Sequence, residues 1–246
     1  MKKNIIITGA AGNLGEALVK SLVKKNAKVI CFDNNKKNLS NLKKKYNKID
    51  AYFCDLTNEK NLISVFNKIF KKYKKIDLLI NNAGYISNSL IVSLGEKGLS
   101  RHSYDLWKKT ISNNLDSTFL VSSFIIENMI SNRNEGLIIN ISSISANGNV
   151  GQSAYSAAKS GVNALTKTWS KELSKFKIRV AGISPGFIDT PSTKKVLSKK
   201  IINNLKENTA SGRFGKKTEF IQAVNFIINN KFFNGKILEI DGGLNI

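Results

Sequence analysis

A doubly wound α/β fold is predicted for this chain by three observations. Seven short apolar runs stand at 5–8, 29–33, 51–54, 78–81, 137–141, 180–184 and 237–240. Longer segments of helical period lie between them, at 14–25, 62–72, 106–130 and 155–175 among others. The runs are almost continuously apolar rather than alternating, which is the pattern of strands covered on both faces. Parallel strands need long crossovers, and segments of this length supply them as helices.

Taken in order, Ile5, Ile6 and Ile7 form the first strand, which feeds the turn Thr8-Gly9-Ala10-Ala11-Gly12-Asn13-Leu14-Gly15 and then a helix. The second run ends on Asp33, and the third, Ala51 to Cys54, precedes Asp55-Leu56-Thr57. Lys43-Lys44-Lys45 and Lys71 to Lys75 sit at expected helix ends, where cations complement the dipole. The fourth strand runs into Asn81-Asn82-Ala83-Gly84, and the fifth into Ser142-Ser143. Both prolines, Pro185 and Pro191, fall in one loop after the sixth strand, and the seventh precedes Asp241-Gly242-Gly243. No internal repeat, linker or low-complexity tail divides the 246 residues, so a single domain over 1–246 is expected.

The formal charge is +22, from 39 basic and 17 acidic residues. Only four of the basic residues are arginines, the lysines are spread along the whole chain, and 31 asparagines accompany them. That is a compositional bias toward Lys and Asn, without the interleaved aromatics that base stacking requires, and no nucleic-acid partner is expected. Cys31 and Cys54 lie in apolar runs with no ligand-like spacing, which indicates core packing and no metal site. No run approaches the ~18 apolar residues of a membrane span, and Thr8-Gly9 interrupts the first apolar run before it could serve as a signal segment. A cytoplasmic protein without a membrane partner is the expectation.

Glycines at a strand-to-helix turn let a backbone approach a pyrophosphate, and the helix N-terminus adds N–H donors and partial positive charge. Asp33 stands 24 residues after Gly9, where a carboxylate accepts from both ribose hydroxyls of an adenosine and repels a 2′-phosphate. NAD is therefore expected over NADP. Tyr155 and Lys159 are spaced i and i+4, so on a helix the ammonium lies beside the phenol and favours its ionised form.

In this order and at these intervals the motifs resemble the classical short-chain dehydrogenase/reductases over the whole chain. They are the turn at 8–15, Cys54-Asp55-Leu56-Thr57, Asn81-Asn82-Ala83-Gly84, Asn113-Asn114-Leu115, Asn140-Ile141-Ser142-Ser143, Tyr155 to Lys159, Ser184-Pro185-Gly186-Phe187-Ile188-Asp189-Thr190 and Asp241-Gly242-Gly243. The resemblance implies a Rossmann-like parallel sheet of order 3-2-1-4-5-6-7 and a homotetramer or homodimer. It implies hydride transfer between a nicotinamide cofactor and a secondary alcohol or ketone. A cofactor site follows, comprising Gly9, Asn13, Leu14, Gly15, Asp33, Asp55, Leu56, Asn82, Ala83, Gly84, Tyr155, Lys159, Pro185, Gly186, Ile188 and Thr190. The implied catalytic set is Asn114, Ser143, Tyr155 and Lys159: Tyr155 is the acid or base, Ser143 holds the substrate oxygen, and Asn114 holds a water leading from Lys159 to solvent. An ordinary tyrosine titrates near ~10, and lowering that to about 7 takes roughly 4 kcal/mol, on the order of what one cation at ~4 Å supplies at an effective dielectric of about 20.

Departures accompany the likeness. Asn13 replaces a family glycine, and asparagine tolerates left-handed backbone. Ala181 replaces a frequent asparagine. Gly9, Gly12 and Gly15 also fit the spacing of the extended branch, with its sugar epimerases and dehydratases, although the chain's length fits the classical branch. Ser142 keeps a thirteen-residue interval to Tyr155 and Ser143 one of twelve; Ser143 is preferred, with one residue deleted from the following loop. The likeness is nearest to 3-oxoacyl thioester reductases, whereas polyols and sugars use the same scaffold, and a non-catalytic NAD-binding regulator is the remaining alternative. The segment 85–106 is longer than usual and is expected to form part of the substrate pocket, with 191–208 as a second, mobile wall; its His102 is left outside the catalytic set.

Overall fold

The structure is a computed structural model that describes residues 3–95, 98–191, 193 and 198–244. Seven parallel strands form one sheet: β1 (Asn4–Thr8), β2 (Lys28–Asp33), β3 (Asp50–Phe53), β4 (Leu78–Asn81), β7 (Gly136–Ile141), β8 (Ile178–Pro185) and β9 (Ile237–Ile240). Their order is β3-β2-β1-β4-β7-β8-β9, as the family likeness implies. Two further strands, β5 (Val92–Gly95) and β6 (Gly98–Arg101), pair as a separate antiparallel hairpin within the 85–106 segment, where no strand is anticipated from the sequence.

Strand residues point alternately to two cores, which is why the apolar runs are continuous. Ile5, Ile7, Val29, Cys31, Ile80 and Ile139 pack on one side against α1 (Asn13–Lys24), α2 (Lys36–Lys45) and α8 (Lys217–Asn229). Ile6, Ile30, Phe32, Leu79, Ile138 and Val180 pack on the other against α3 (Glu59–Lys72), α5 (Ser117–Ser131) and α6 (Ser153–Glu172). Burial pushes the Cys31 thiol up to about 12 and that of Cys54 to about 11, consistent with inert packing residues.

The helix expected over 106–130 is not continuous. It divides into α4 (Tyr104–Ile111) and α5, joined by a π turn at Ser112–Asp116. The extra residue in that turn carries Asn114 inward, where its carboxamide donates to the Tyr85 and Thr110 carbonyls, each at 2.8 Å.

Four of the helices begin on a side-chain cap. Asn35, Asn58, Ser103 and Ser198 cap α2, α3, α4 and α7 (Lys199–Glu207) through their side chains. Gly12 and Gln152, at the starts of α1 and α6, make no such bond. Sheet order reverses beside β1, so the carboxyl ends of β1 and β4 diverge and open a crevice between them.

Candidate active site

The crevice is a cleft of about 540 Å³, and every one of the expected cofactor residues lines it, from Gly9 in the first turn to Thr190 after β8. Its floor depends on close backbone approach. Gly9 has φ +60°, and a Cβ there would lie 2.8 Å from the Ala83 Cα. At Gly15 a Cβ would meet the Gly9 carbonyl oxygen at 2.1 Å and the Ala10 Cα at 2.7 Å, both backbone atoms that cannot swing aside. Gly15→Ala is expected to destabilise the fold by about 3 kcal/mol and to weaken dinucleotide binding at least about 10-fold. Denaturant midpoints together with a cofactor titration check this, and unchanged binding would refute the tight-turn argument.

Asn82 ties the floor together: its Nδ2 donates to the Thr8 and Gly9 carbonyls at 3.0 and 3.1 Å, and Thr8 Oγ1 accepts from the Asn82 and Ala83 N–H groups. Asn13 opens α1 with helical backbone and is not among the residues of positive φ. Its tolerance of left-handed backbone is therefore not what suits it to this position. Asp33 is buried, and its two oxygens accept from the Ala11 and Asn35 N–H groups, each at 2.9 Å. The carboxylate thus holds the glycine turn as well as facing the cleft.

At the other end of the cleft stand Ser143, Tyr155 and Lys159. Tyr155 is 8% exposed and Lys159 4%. The Lys159 Nζ lies 5.7 Å from the Tyr155 ring centroid and donates to the Ile141 carbonyl at 2.8 Å. Ser143 Oγ accepts from the Ser145 N–H at 3.2 Å, which directs its proton elsewhere, and it lines the cleft together with Tyr155. Ser142 instead turns its hydroxyl to the Lys159 carbonyl at 3.4 Å.

Electrostatics here differ from the sequence expectation in one respect. Burial is the largest influence on Tyr155 and holds its phenol above the ordinary tyrosine value, with the Ser143 hydroxyl acting in the opposite direction. Burial also lowers Lys159 to about 8. The expectation that the ammonium dominates Tyr155 is corrected on physical grounds, because both groups are withdrawn from water and desolvation opposes charge on each.

Asn114 does not line the cleft. It lies behind Gly84, where a Cβ would sit 2.9 Å from Asn114 Oδ1 and 3.6 Å from Lys159 Nζ. Its donors are spent on protein carbonyls, and its Oδ1 accepts from the Tyr85 N–H at 3.2 Å. His102 packs beside Trp107, away from the cleft-lining residues. Ile86, from the 85–106 segment expected at the pocket, and Phe187 also line the cleft, as do Asn149 and Gln152, which the sequence did not single out. Of the second wall expected over 191–208, residues 192 and 194–197 lie outside the described residues, while Thr193 reaches the cleft.

The cleft suits a dinucleotide: the glycine turn has no room for a Cβ at Gly9 or Gly15, and the first turn of α1 carries no side-chain cap. Comparison with known proteins agrees. A family model described as short chain dehydrogenase matches residues 3–201. The 3-oxoacyl-(acyl-carrier-protein) reductase FabG of Thermotoga maritima is 38% identical over 249 residues, spanning 98% of this chain and 97% of its own. Its counterpart from Chlamydia muridarum is 32% identical, with 99% and 98% covered. Among solved structures, a 4-hydroxyisoleucine dehydrogenase complexed with NADH superposes with a TM-score of 0.90 at 29% identity, covering 98% of both chains.

Proposed function

The chain belongs to the short chain dehydrogenase family and is a nicotinamide-dependent oxidoreductase of carbonyl or alcohol carbons; from that premise we propose that it reduces a 3-oxoacyl thioester with NADH. Identity of 38% to a 3-oxoacyl-(acyl-carrier-protein) reductase supports the substrate class. The relatives lend no support to an epimerase, a dehydratase or a silent binding protein.

The observation that carries the chemistry is that Ser143, Tyr155 and Lys159 line the same cleft, with the Lys159 Nζ 5.7 Å from the Tyr155 ring centroid. When bound, the dinucleotide supplies the hydride. Tyr155 then gives its proton to the substrate oxygen, and Ser143 donates a hydrogen bond to the charge that develops there. Lys159, anchored on the Ile141 carbonyl, stabilises the phenolate left behind. Asn114, through Tyr85 and Thr110, fixes the turn beside Gly84. The geometry favours Ser143 over Ser142, whose hydroxyl is committed to helix backbone.

Preference for NADH rests on charge. Lys159 is the one cation among the described residues lining the cleft, and it stands at the Tyr155 end. Among the described residues no lysine or arginine lines the wall beside Asp33 to receive a 2′-phosphate; Lys36 instead lies over the Phe53 ring at 4.7 Å. Steady-state reduction of an acetoacetyl thioester is the test, with kcat/KM for NADH expected to exceed that for NADPH at least about 10-fold. Asp33→Asn is expected to shrink that ratio about 10-fold by removing the repelling charge. A wild-type preference for NADPH would remove the basis for assigning NADH.

The active form is proposed to be a homodimer or homotetramer in the cytoplasm. Support comes from the β5–β6 hairpin, whose Leu94 and Leu99 are 80% and 77% exposed, because an isolated hairpin is barely stable in water and gains from a partner surface.

A further inference from the structure

We propose that Gln152 determines specificity by binding a second oxygen of the substrate, beyond the carbonyl that is reduced, and that Asn88 is the residue that positions it. This rests on the reading of the site as a 3-oxoacyl thioester reductase, since such a substrate carries its thioester carbonyl two carbons from the ketone.

Gln152 occupies the N-cap of α6, three residues before Tyr155, and lines the cleft. A capping Ser, Thr, Asp or Asn there would contribute about 1 kcal/mol. Glutamine makes no capping bond, and its carboxamide is held instead from both ends. Its Nε2 donates to Asn88 Oδ1 at 2.8 Å, and its Oε1 accepts from Asn149 Nδ2 at 3.2 Å. A primary amide has a second N–H and a second lone pair, so a pinned Gln152 keeps one donor and one acceptor at fixed orientation.

The pinning is needed because the preceding loop is intrinsically loose. Gly148 and Gly151 have φ of +103° and +75°, and a Cβ at Gly148 would meet nothing within 4 Å. What holds the loop is the start of the long segment after β4. The Ser89 N–H donates to the Gly151 carbonyl at 2.7 Å, Ser87 and Thr110 share a buried hydrogen bond of 2.7 Å, and Tyr85 is gripped by Asn114. Residues 85–89 thus form a strap from the Asn114 turn to the start of the Tyr155 helix. Asn88 is its contact with the substrate end of the cleft.

Two probes separate recognition of a second oxygen from general damage: the acetoacetyl thioester of N-acetylcysteamine, and cyclohexanone, which has only one oxygen. Gln152→Ala is expected to lower kcat/KM for the thioester about 10-fold while leaving cyclohexanone within about twofold, the scale of one hydrogen bond lost. Asn88→Ala should reproduce the selective loss at about threefold, and Asn88→Asp, which keeps the acceptor for Nε2, should restore it. Equal losses on both probes, or none on either, overturn the proposal. If the wild type reduces neither probe, the reductase reading falls by itself. Titration of the thioester into the NAD-bound protein then decides this proposal: weaker binding in Gln152→Ala upholds it and unchanged binding overturns it.

Discussion

Tyr155→Phe is expected to lose about 100-fold or more in kcat for carbonyl reduction, the contribution of a positioned general acid, with little change in cofactor affinity. The phenol lines the cleft beside Ser143 and shares a helix face with Lys159. Phenylalanine retains the ring that fills this buried position, so the fold should survive, and the lost atom is the one that carries the proton. Burial keeps the phenol above its ordinary value, so in the reducing direction it is protonated throughout the neutral range. The deprotonated form left after transfer depends on Ser143 and Lys159. Ser143→Ala should therefore lose activity in parallel rather than additively, because the two hydroxyls act on one oxygen. Stopped-flow single turnovers separate chemistry from release, and near-normal turnover in Tyr155→Phe would end the assignment.

What the sequence reveals and what it hides divides by the range of the interactions. Strand positions are legible to within a residue or two because β1, β2, β4 and β7 are buried on both faces, and an uninterrupted run such as Ile5, Ile6, Ile7 has few other uses. The β5–β6 hairpin is not legible: Ser93, Gly95, Gly98 and Ser100 dilute its apolar residues, and no core enforces alternation. Nor is the break in the 106–130 helix, where Asn114 bonds to Tyr85, distant in sequence. At the site, residue types at fixed spacing disclose Tyr155, Lys159 and the glycine turn. They do not disclose that Asp33 also clamps the Ala11 N–H, that desolvation outweighs the lysine at Tyr155, or that Gln152 is braced by Asn88. Each of these depends on loops meeting in space, for which periodicity carries no signal.

Lys159→Met is expected to abolish turnover by on the order of 100-fold or more while making the protein more stable at neutral pH. The Lys159 amine is 4% exposed, and burial alone holds it at about 8 against an ordinary 10.5. Between those values the unfolded chain binds the proton more readily than the native protein, so wild-type stability rises as pH rises from about 8 to about 10.5. Below about 8 the native state bears the whole penalty of a buried ammonium, on the order of 3 kcal/mol. Methionine fills a similar volume without charge, at the cost of the hydrogen bond to the Ile141 carbonyl, about 1 kcal/mol. A net gain of about 2 kcal/mol should remain at pH 7, vanish at about pH 10 and reverse above it, as the amine becomes neutral in both states and only the lost hydrogen bond remains. Urea midpoints of the two proteins at pH 7 and pH 10 measure the difference directly. Parallel pH dependences would mean that Lys159 is not strained by burial. A gap that closes as pH rises would identify the ammonium as a group the fold tolerates at a loss, which is the condition expected of a residue retained for its effect on Tyr155 rather than for packing.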